Sequence, residues 1–229
     1  SFDFNSAKQA ELIDYYASYL KADGIIVFSL SKPLKKGYNV PIVALASSVD
    51  TKVDTVNINI GNSITEAVKA LDARGHKKIA FISERLTWQR EELYKKAMLE
   101  IRNTNIISVV SRERFEKAGV EGIEALFKQR SDIAVICAYD YIAFGAIKQL
   151  KKMGLKVPDD VSVVGIDNIS TSEFAETSLS TIDSNPREVS HIVYDLLAKK
   201  LKNPFYRVKQ NITINSQFII RESIGNAKK

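Results

Sequence analysis

Histidine, cysteine and glycine are scarce in this chain, and each scarcity closes off a kind of chemistry. Its 229 residues hold two histidines, His76 and His191, and one cysteine, Cys137. Metal centres of the usual Cys/His spacing need more ligands than that, so no metal is expected. One thiol cannot form an intrachain disulfide. Cys137 sits in an apolar run, residues 133–138, as a buried reduced thiol of a cytoplasmic protein would. The ten glycines form no phosphate-cradling loop, and no Gly-x-Ser-x-Gly elbow occurs. Two carboxylate pairs, Glu91-Glu92 and Asp159-Asp160, fall at helix or turn starts, where solvated caps are the expected role. Nothing here points to an enzyme or to a bound cofactor. No apolar run reaches the roughly 18 residues that span a bilayer, so no membrane partner is expected. The opening residues, Ser1 to Asn5, show no basic start leading into an apolar stretch, so no secretory signal is read there.

What is present is a foldable, moderately charged chain. Hydrophobic residues make up 45% and charged residues 26%, enough to bury a core and too apolar for disorder. The net charge is +6 and the pI about 9.2. Lysine and arginine are spread along the whole length, which fits solvated helix faces better than one DNA-reading face.

Short β-branched runs alternate with amphipathic stretches. Strands are expected at 24–28, 41–46, 55–60, 78–83, 106–110, 133–138, 161–166 and 212–221. Several, such as Ile79-Ala80-Phe81-Ile82, are apolar throughout, the mark of parallel strands covered on both faces. Helices are expected at 7–22, 63–74, 91–102, 115–128, 141–153 and 186–201, each with apolar residues at i, i+3, i+4 and i+7. Gly75 and Gly154 read as stops after helices, Pro186 as a first-turn residue and Asp140 as an N-cap. The alternation predicts an α/β fold of doubly wound type.

Two blocks carry a recognisable pattern. One is Gly75-His76-Lys77-Lys78-Ile79-Ala80-Phe81-Ile82. The other runs from Tyr139-Asp140-Tyr141-Ile142-Ala143-Phe144-Gly145-Ala146 through Gly154-Leu155-Lys156-Val157-Pro158-Asp159-Asp160-Val161-Ser162-Val163-Val164-Gly165-Ile166-Asp167-Asn168. Leu179-Ser180-Thr181-Ile182 and Ile220-Arg221-Glu222-Ser223 follow. In this order and spacing the chain resembles the effector-binding core of LacI/GalR-type transcription regulators. That resemblance implies two doubly wound parallel-sheet lobes of periplasmic binding protein type I, joined by three crossovers near Ser83, Asp183 and Asn215. It places residues 1–82 with 184–214 in an N-terminal lobe and 83–183 with 215–229 in a C-terminal lobe. The family core opens with a buried strand and a helix, which are expected to be missing here, so the chain reads as a fragment. The span between Met98 and Val109 is short for the family. The family further implies a homodimer, operator DNA bound through a helix-turn-helix headpiece that does not precede residue 1, and a small-molecule effector, a sugar first of all, on which the lobes close. Two alternatives share the architecture: a sugar-binding receptor of a transporter, and a catabolite-control type core regulated by a phosphorylated partner protein.

A sugar site needs planar polar groups for hydroxyls and aromatic rings for the apolar faces of the ring. Arg90 and Asp167 match the family positions that fork onto ligand hydroxyls; their alternatives are a surface arginine and a turn aspartate. Tyr139 stands where the family often has Asn, and would stack on the ligand or narrow the cleft. Phe115 matches an aromatic wall or packs at a helix start. Phe28 and Ser29 end a strand at the cleft edge, and Asn59 stands where the family often has Asp. Asp183 and Ser184 lie at a crossover, touching either ligand or hinge. Trp88, two residues before Arg90, lines the mouth or packs on its rim.

Overall fold

The computed structural model describes residues 6–30, 34, 37–46, 52–128, 133–203, 205–206 and 208–228. In chain order the elements are α1 (Ser6–Asp14), continued by a π-helical turn (Tyr15–Tyr19), β1 (Ile25–Leu30), β2 (Ile42–Ala46), β3 (Asp54–Asn59), α2 (Gly61–Ala73), β4 (Ile79–Glu84), a 3-10 turn (Arg85–Thr87), α3 (Trp88–Glu100), β5 (Ile107–Ser111), α4 (Phe115–Phe127), β6 (Ala134–Cys137), α5 (Asp140–Lys152), β7 (Val163–Ile166), α6 (Thr171–Phe174), β8 (Ser180–Asp183), α7 (Pro186–Lys202), β9 (Asn211–Asn215) and β10 (Gln217–Ile219). They form two units. One comprises Ser1–Asn59 and Asn185–Asn215, the other Ile60–Ser184 and Ser216–Lys229. The chain therefore passes between them three times, at 59/60, 184/185 and 215/216.

Two expectations are corrected here. The resemblance implies that residues 60–82 lie in the first lobe, with a crossover near Ser83. They belong to the second unit, because β4 pairs in parallel with both β5 and β6 and is buried along its whole length. Ser184 and Asn215 likewise exchange sides. The long strand expected over 212–221 is two strands: β9 pairs in parallel with β3, and β10 runs antiparallel to β8. A single β-branched run carries both, so residue type alone hides the break at Ser216.

In the first unit the strand order is β1-β2-β3-β9, all parallel. Alternation along β2 divides the apolar side chains between two clusters. Ile42 and Ala44 pack with Ile13 of α1, while Val43 packs with Val189, Val193 and Leu196 of α7. Both faces of the parallel sheet are thereby covered, as the apolar side chains on each require. Beneath this core lies an ion pair. The Lys200 ammonium sits 2.8 Å from the Asp54 carboxylate, and both side chains are almost wholly buried. Gln210 donates its backbone N–H to Asp54, and Lys200 donates to the Val208 carbonyl, so neither charge relies on its partner alone.

The second unit is a sheet of order β10-β8-β7-β6-β4-β5, parallel except for β10. Neighbouring residues of β4 show how it is sandwiched. Phe81 stacks on Tyr94 of α3, with ring centroids 5.1 Å apart. Ile82 points the other way, against Gly122 of α4. The buried Tyr94 hydroxyl donates to the Ile79 carbonyl at 2.7 Å, which satisfies its one polar atom. Helices α4 and α5 approach closely because each offers a glycine. A Cβ at Gly119 would lie 2.0 Å from the Ile142 carbonyl oxygen, and one at Gly145 only 1.9 Å from that of Glu116. Gly75 and Gly154 do end helices with positive φ, as read from the sequence. Asn185 caps α7 and Pro186 opens it. Among the described residues no helix is long and apolar enough to cross a membrane.

Candidate functional site

Ligand sites of parallel α/β sheets sit beyond the carboxyl ends of the strands, where loops leave the sheet. In the second unit those ends carry most of the residues singled out from the sequence. Strand β4 runs through the 3-10 turn into α3, which sets Arg90 in the helix's first turn. Strand β7 ends at Ile166, and Asp167 follows in a left-handed conformation, φ +107°. The two side chains meet. The Arg90 guanidinium approaches the Asp167 carboxylate with both terminal nitrogens, at 2.8 and 3.3 Å. One nitrogen also donates to the Ala138 carbonyl at the end of β6. Both side chains remain partly open to solvent, 25% and 32% exposed. This is a two-pronged, charge-assisted contact that presents donors and acceptors side by side.

Aromatic residues stand beside it. Tyr139, just after β6, precedes α5. Its hydroxyl accepts the Phe115 backbone N–H at 3.0 Å and faces the buried Glu84 carboxylate. Burial, with help from Glu84, pushes its phenol up to about 12. Glu84 in turn accepts from Arg114, whose guanidinium lies 4.8 Å above the Phe115 ring. Phe115 itself has φ +54°, which is rare for a bulky residue. Its ring is nearly half exposed and meets Tyr139 and Tyr141 edge-to-face, each at 6.0 Å. Trp88, at the start of α3, is 60% exposed.

Asp183 ends β8, and its carboxylate accepts from the Asn168 amide at 3.1 Å. Ser184 follows it, partly exposed. The structure thus gathers Arg90, Asp167, Tyr139, Phe115 and Asp183 along one sheet edge. Phe28 and Asn59 belong to the first unit. Phe28 does not end its strand as expected: it lies within β1, two residues before Leu30, with its ring largely exposed, and Asn59 donates to Asn215 across the β3–β9 pair at 3.1 Å. The side chain of Ser29 lies outside the described residues. A cavity of about 530 Å³ opens in the first unit, bordered by Lys21, Tyr38, Lys200 and Tyr206, and contains none of the expected site residues. Its lining carries polar groups, Asp23 and Asn39 among them, but no arginine and so no guanidinium–carboxylate fork, and we take the Arg90–Asp167 pair as the better candidate.

Two sequence readings change on this edge. Asp140 does not cap α5 with its side chain, because the helix starts at Asp140 itself. Its carboxylate instead accepts from the Ile169 backbone N–H and from the hydroxyls of Ser172 and Thr181, at 2.9, 2.6 and 2.6 Å. Burial pushes its carboxyl up, and those three bonds oppose the shift. Glu91 is not a solvated cap either. It is 8% exposed and accepts from Ser83, Ser108 and Lys95. Burial would raise its pKa, but these partners outweigh it and hold the group below the ordinary carboxylate value. Sequence reasoning missed Arg221 and Asn168 as parts of this edge. The Arg221-Glu222-Ser223 tail was visible only as a family marker.

Comparison with known proteins settles the family. The periplasmic binding protein-like domain matches residues 68–224, more than half of the chain. The chain belongs to that family. Among curated relatives, the ribose operon repressor of Haemophilus influenzae is 32% identical over 71% of this chain and 50% of its own length. The HTH-type transcriptional repressor PurR of Actinobacillus pleuropneumoniae is 28% identical over 98% of this chain and 72% of its own. The chain thus spans between half and about three quarters of these two relatives. Among solved structures, a LacI family transcriptional regulator from Enterococcus faecium with bound ribose superposes with a TM-score of 0.82 at 23% identity, covering 94% of this chain and 85% of that one. The complex of the transcriptional regulator CelR with cellobiose gives 0.77 at 23% identity, covering 96% and 71%. The family match, the curated relatives and the superpositions agree with the resemblance to LacI/GalR-type regulator cores that the motifs carried.

Proposed function

We propose that this periplasmic binding protein-like chain is the effector-binding core of a LacI-type transcription regulator, and that its second unit holds a small sugar at the Arg90–Asp167 fork. The observation that carries this reading is the fork itself: a guanidinium and a carboxylate joined at 2.8 Å, yet a quarter to a third exposed. A vicinal diol accepts from the first and donates to the second, so it replaces their mutual bonds without leaving a charge unpaired. Phe115 and Tyr141 supply the apolar wall that a sugar ring also needs. In the first unit Phe28 and Asn59 are the candidates for ligand contact. Relatives named as repressors, and neighbours solved with ribose or cellobiose, support a regulator over a transport receptor.

The same reading makes the protein a binding switch rather than an enzyme, places it in the cytoplasm, and gives it operator DNA and a second copy as partners. DNA contact would come through a helix-turn-helix segment not among these 229 residues. The test is a thermal-shift and calorimetric screen of D-ribose, cellobiose, lactose and hypoxanthine on this chain. A ligand that binds the native state at 100 times its Kd adds about 2.7 kcal/mol of stability. Saturable binding of one of the sugars supports the proposal. A flat response to all three sugars, or binding of hypoxanthine alone, overturns the sugar assignment.

A further inference from the structure

The chain leaves β7 through a corner of two successive positive-φ residues. Asp167 and Asn168 both adopt positive φ, +107° and +48°. Asp and Asn enter that region more readily than other residues with side chains, but two in succession are uncommon and need holding. The bonds around the corner show what holds them. Asp167 donates its backbone N–H to the Ile182 carbonyl at 2.8 Å. Asn168 is held three ways: its side-chain oxygen accepts from Arg221 at 2.9 Å, its side-chain nitrogen donates to Asp183 at 3.1 Å, and its backbone N–H donates to the Thr181 hydroxyl at 3.3 Å. That hydroxyl donates onward to Asp140, whose second oxygen takes the Ile169 backbone N–H. Arg221 is itself fixed by a bond to the Leu179 carbonyl at 2.7 Å. Asp140 is buried, and a Cβ on Gly165 would lie 2.1 Å from one of its oxygens.

We propose that Arg221 and Asp140 are positioning residues for ligand binding: through Asn168, Thr181 and Ile169 they lock the 167–169 corner so that the Asp167 carboxylate faces Arg90. This rests on the reading of Arg90 and Asp167 as the ligand fork, and it adds two residues whose bonds go to the corner. It also gives a physical use to the Arg-Glu-Ser tail. The tail follows β10, the edge strand of the sheet, and its arginine braces the corner after β7.

The test separates bracing from general stability. In ligand-free protein, Arg221→Met keeps the stem of the side chain and removes both bonds. Amide hydrogen exchange at residues 167–169 is expected to speed up about tenfold, the loss of one charge-assisted hydrogen bond, while amides of β4 and β6 keep their rates. Asp140→Asn, which loses an acceptor towards the same corner, is expected to loosen the same three amides. Arg221→Lys, which retains the charge but not the fork, is expected to fall between wild type and Arg221→Met. D-ribose titrated into the same variants is expected to bind about tenfold more weakly to Arg221→Met. Unchanged exchange at 167–169, or equal acceleration throughout the second unit, overturns the proposal. If the wild-type protein binds no sugar, the functional reading fails, and the exchange result still decides this one.

Discussion

Replacing Arg90 by alanine separates the two roles its guanidinium could have. In the free protein it bonds to Asp167 twice and to the Ala138 carbonyl once. Both members of the pair keep solvent contact, so water takes over much of what the substitution removes. A partly exposed pair of this kind is worth about 0–1 kcal/mol to stability. For a chain of this size that lowers the midpoint of thermal unfolding by no more than about 2–4 °C. Ligand binding loses far more. A sugar diol engaging the fork takes two hydrogen bonds from a charged donor, and hydrogen bonds to charged groups contribute about 1.5–3 kcal/mol each. Allowing for the Asp167 carboxylate regained by water, the net loss is about 2–4 kcal/mol, or about 30- to 800-fold in Kd. Calorimetric titration of the wild type and the variant with the same sugar measures the second quantity, and urea unfolding the first. A change of less than about threefold in Kd, with stability down by several kcal/mol, would show a structural arginine and refute the assignment.

Three further outcomes follow from the packing and the charges. Lys200→Met strands a carboxylate, Asp54, that is 0% exposed, and should cost about 3–5 kcal/mol by urea unfolding; the double variant with Asp54→Leu should recover most of it. Gly145→Ala sets a methyl group 1.9 Å from the Glu116 carbonyl and is expected to cost at least about 1–3 kcal/mol, read as a lower thermal midpoint. His76 is buried between the Gly225 carbonyl and the Ser162 hydroxyl, and burial lowers its pKa from the ordinary 6.5. Its unfolded form therefore takes up a proton before its folded form does. The stability it contributes is present above pH 6.5 and is lost as pH falls below that value, so the gap between wild type and His76→Gln in urea midpoint should narrow from pH 7.5 to pH 5.

Periodicity made the fold legible because both sheets obey it. The apolar run at β4 and the helix stripes at α2, α4, α5 and α7 all stand within three residues of their expected bounds. The unit boundary was misplaced because β3 and β4 each precede a helix, and the sheet a strand joins is set by its partners, not by its own residues. The partners of β4 lie 27 residues later in β5 (Ala80 with Ile107) and 55 later in β6 (Ile79 with Ala134), beyond the reach of any local pattern. At the site, Arg90 and Asp167 were visible as residue types at matching positions, and their meeting needed the fold. Arg221 and Asn168 were harder. They lie 53 residues apart, and neither chemistry nor spacing links an arginine near the end of the chain to an asparagine after β7. Asp140 misled for a physical reason: an aspartate at a helix start is more often a cap, and here the start lies one residue earlier, which turns its carboxylate inward.

The closed fork also constrains the charge of what it can hold. With no ligand, Arg90 and Asp167 neutralise each other across 2.8 Å. A neutral diol that bonds to both groups from their exposed side leaves the sum of charges unchanged. A carboxylate-bearing ligand at the same place would have to push Asp167 away from its partner, and two carboxylates would then share one guanidinium in a partly dehydrated corner. Asp167 cannot swing far, because left-handed backbone and the bonds at Ile182 and Asn168 hold its base. Sugars are therefore expected to bind more tightly than the corresponding sugar acids, and Asp167→Asn is expected to reverse or abolish that preference by removing the competing charge. Titrating D-glucose and D-gluconate, or D-ribose and D-ribonate, into both proteins measures it. Tighter binding of the acids to the wild-type chain would mean that Asp167 is not paired with the ligand-binding arginine in solution, and the geometry of the fork would lose its functional meaning.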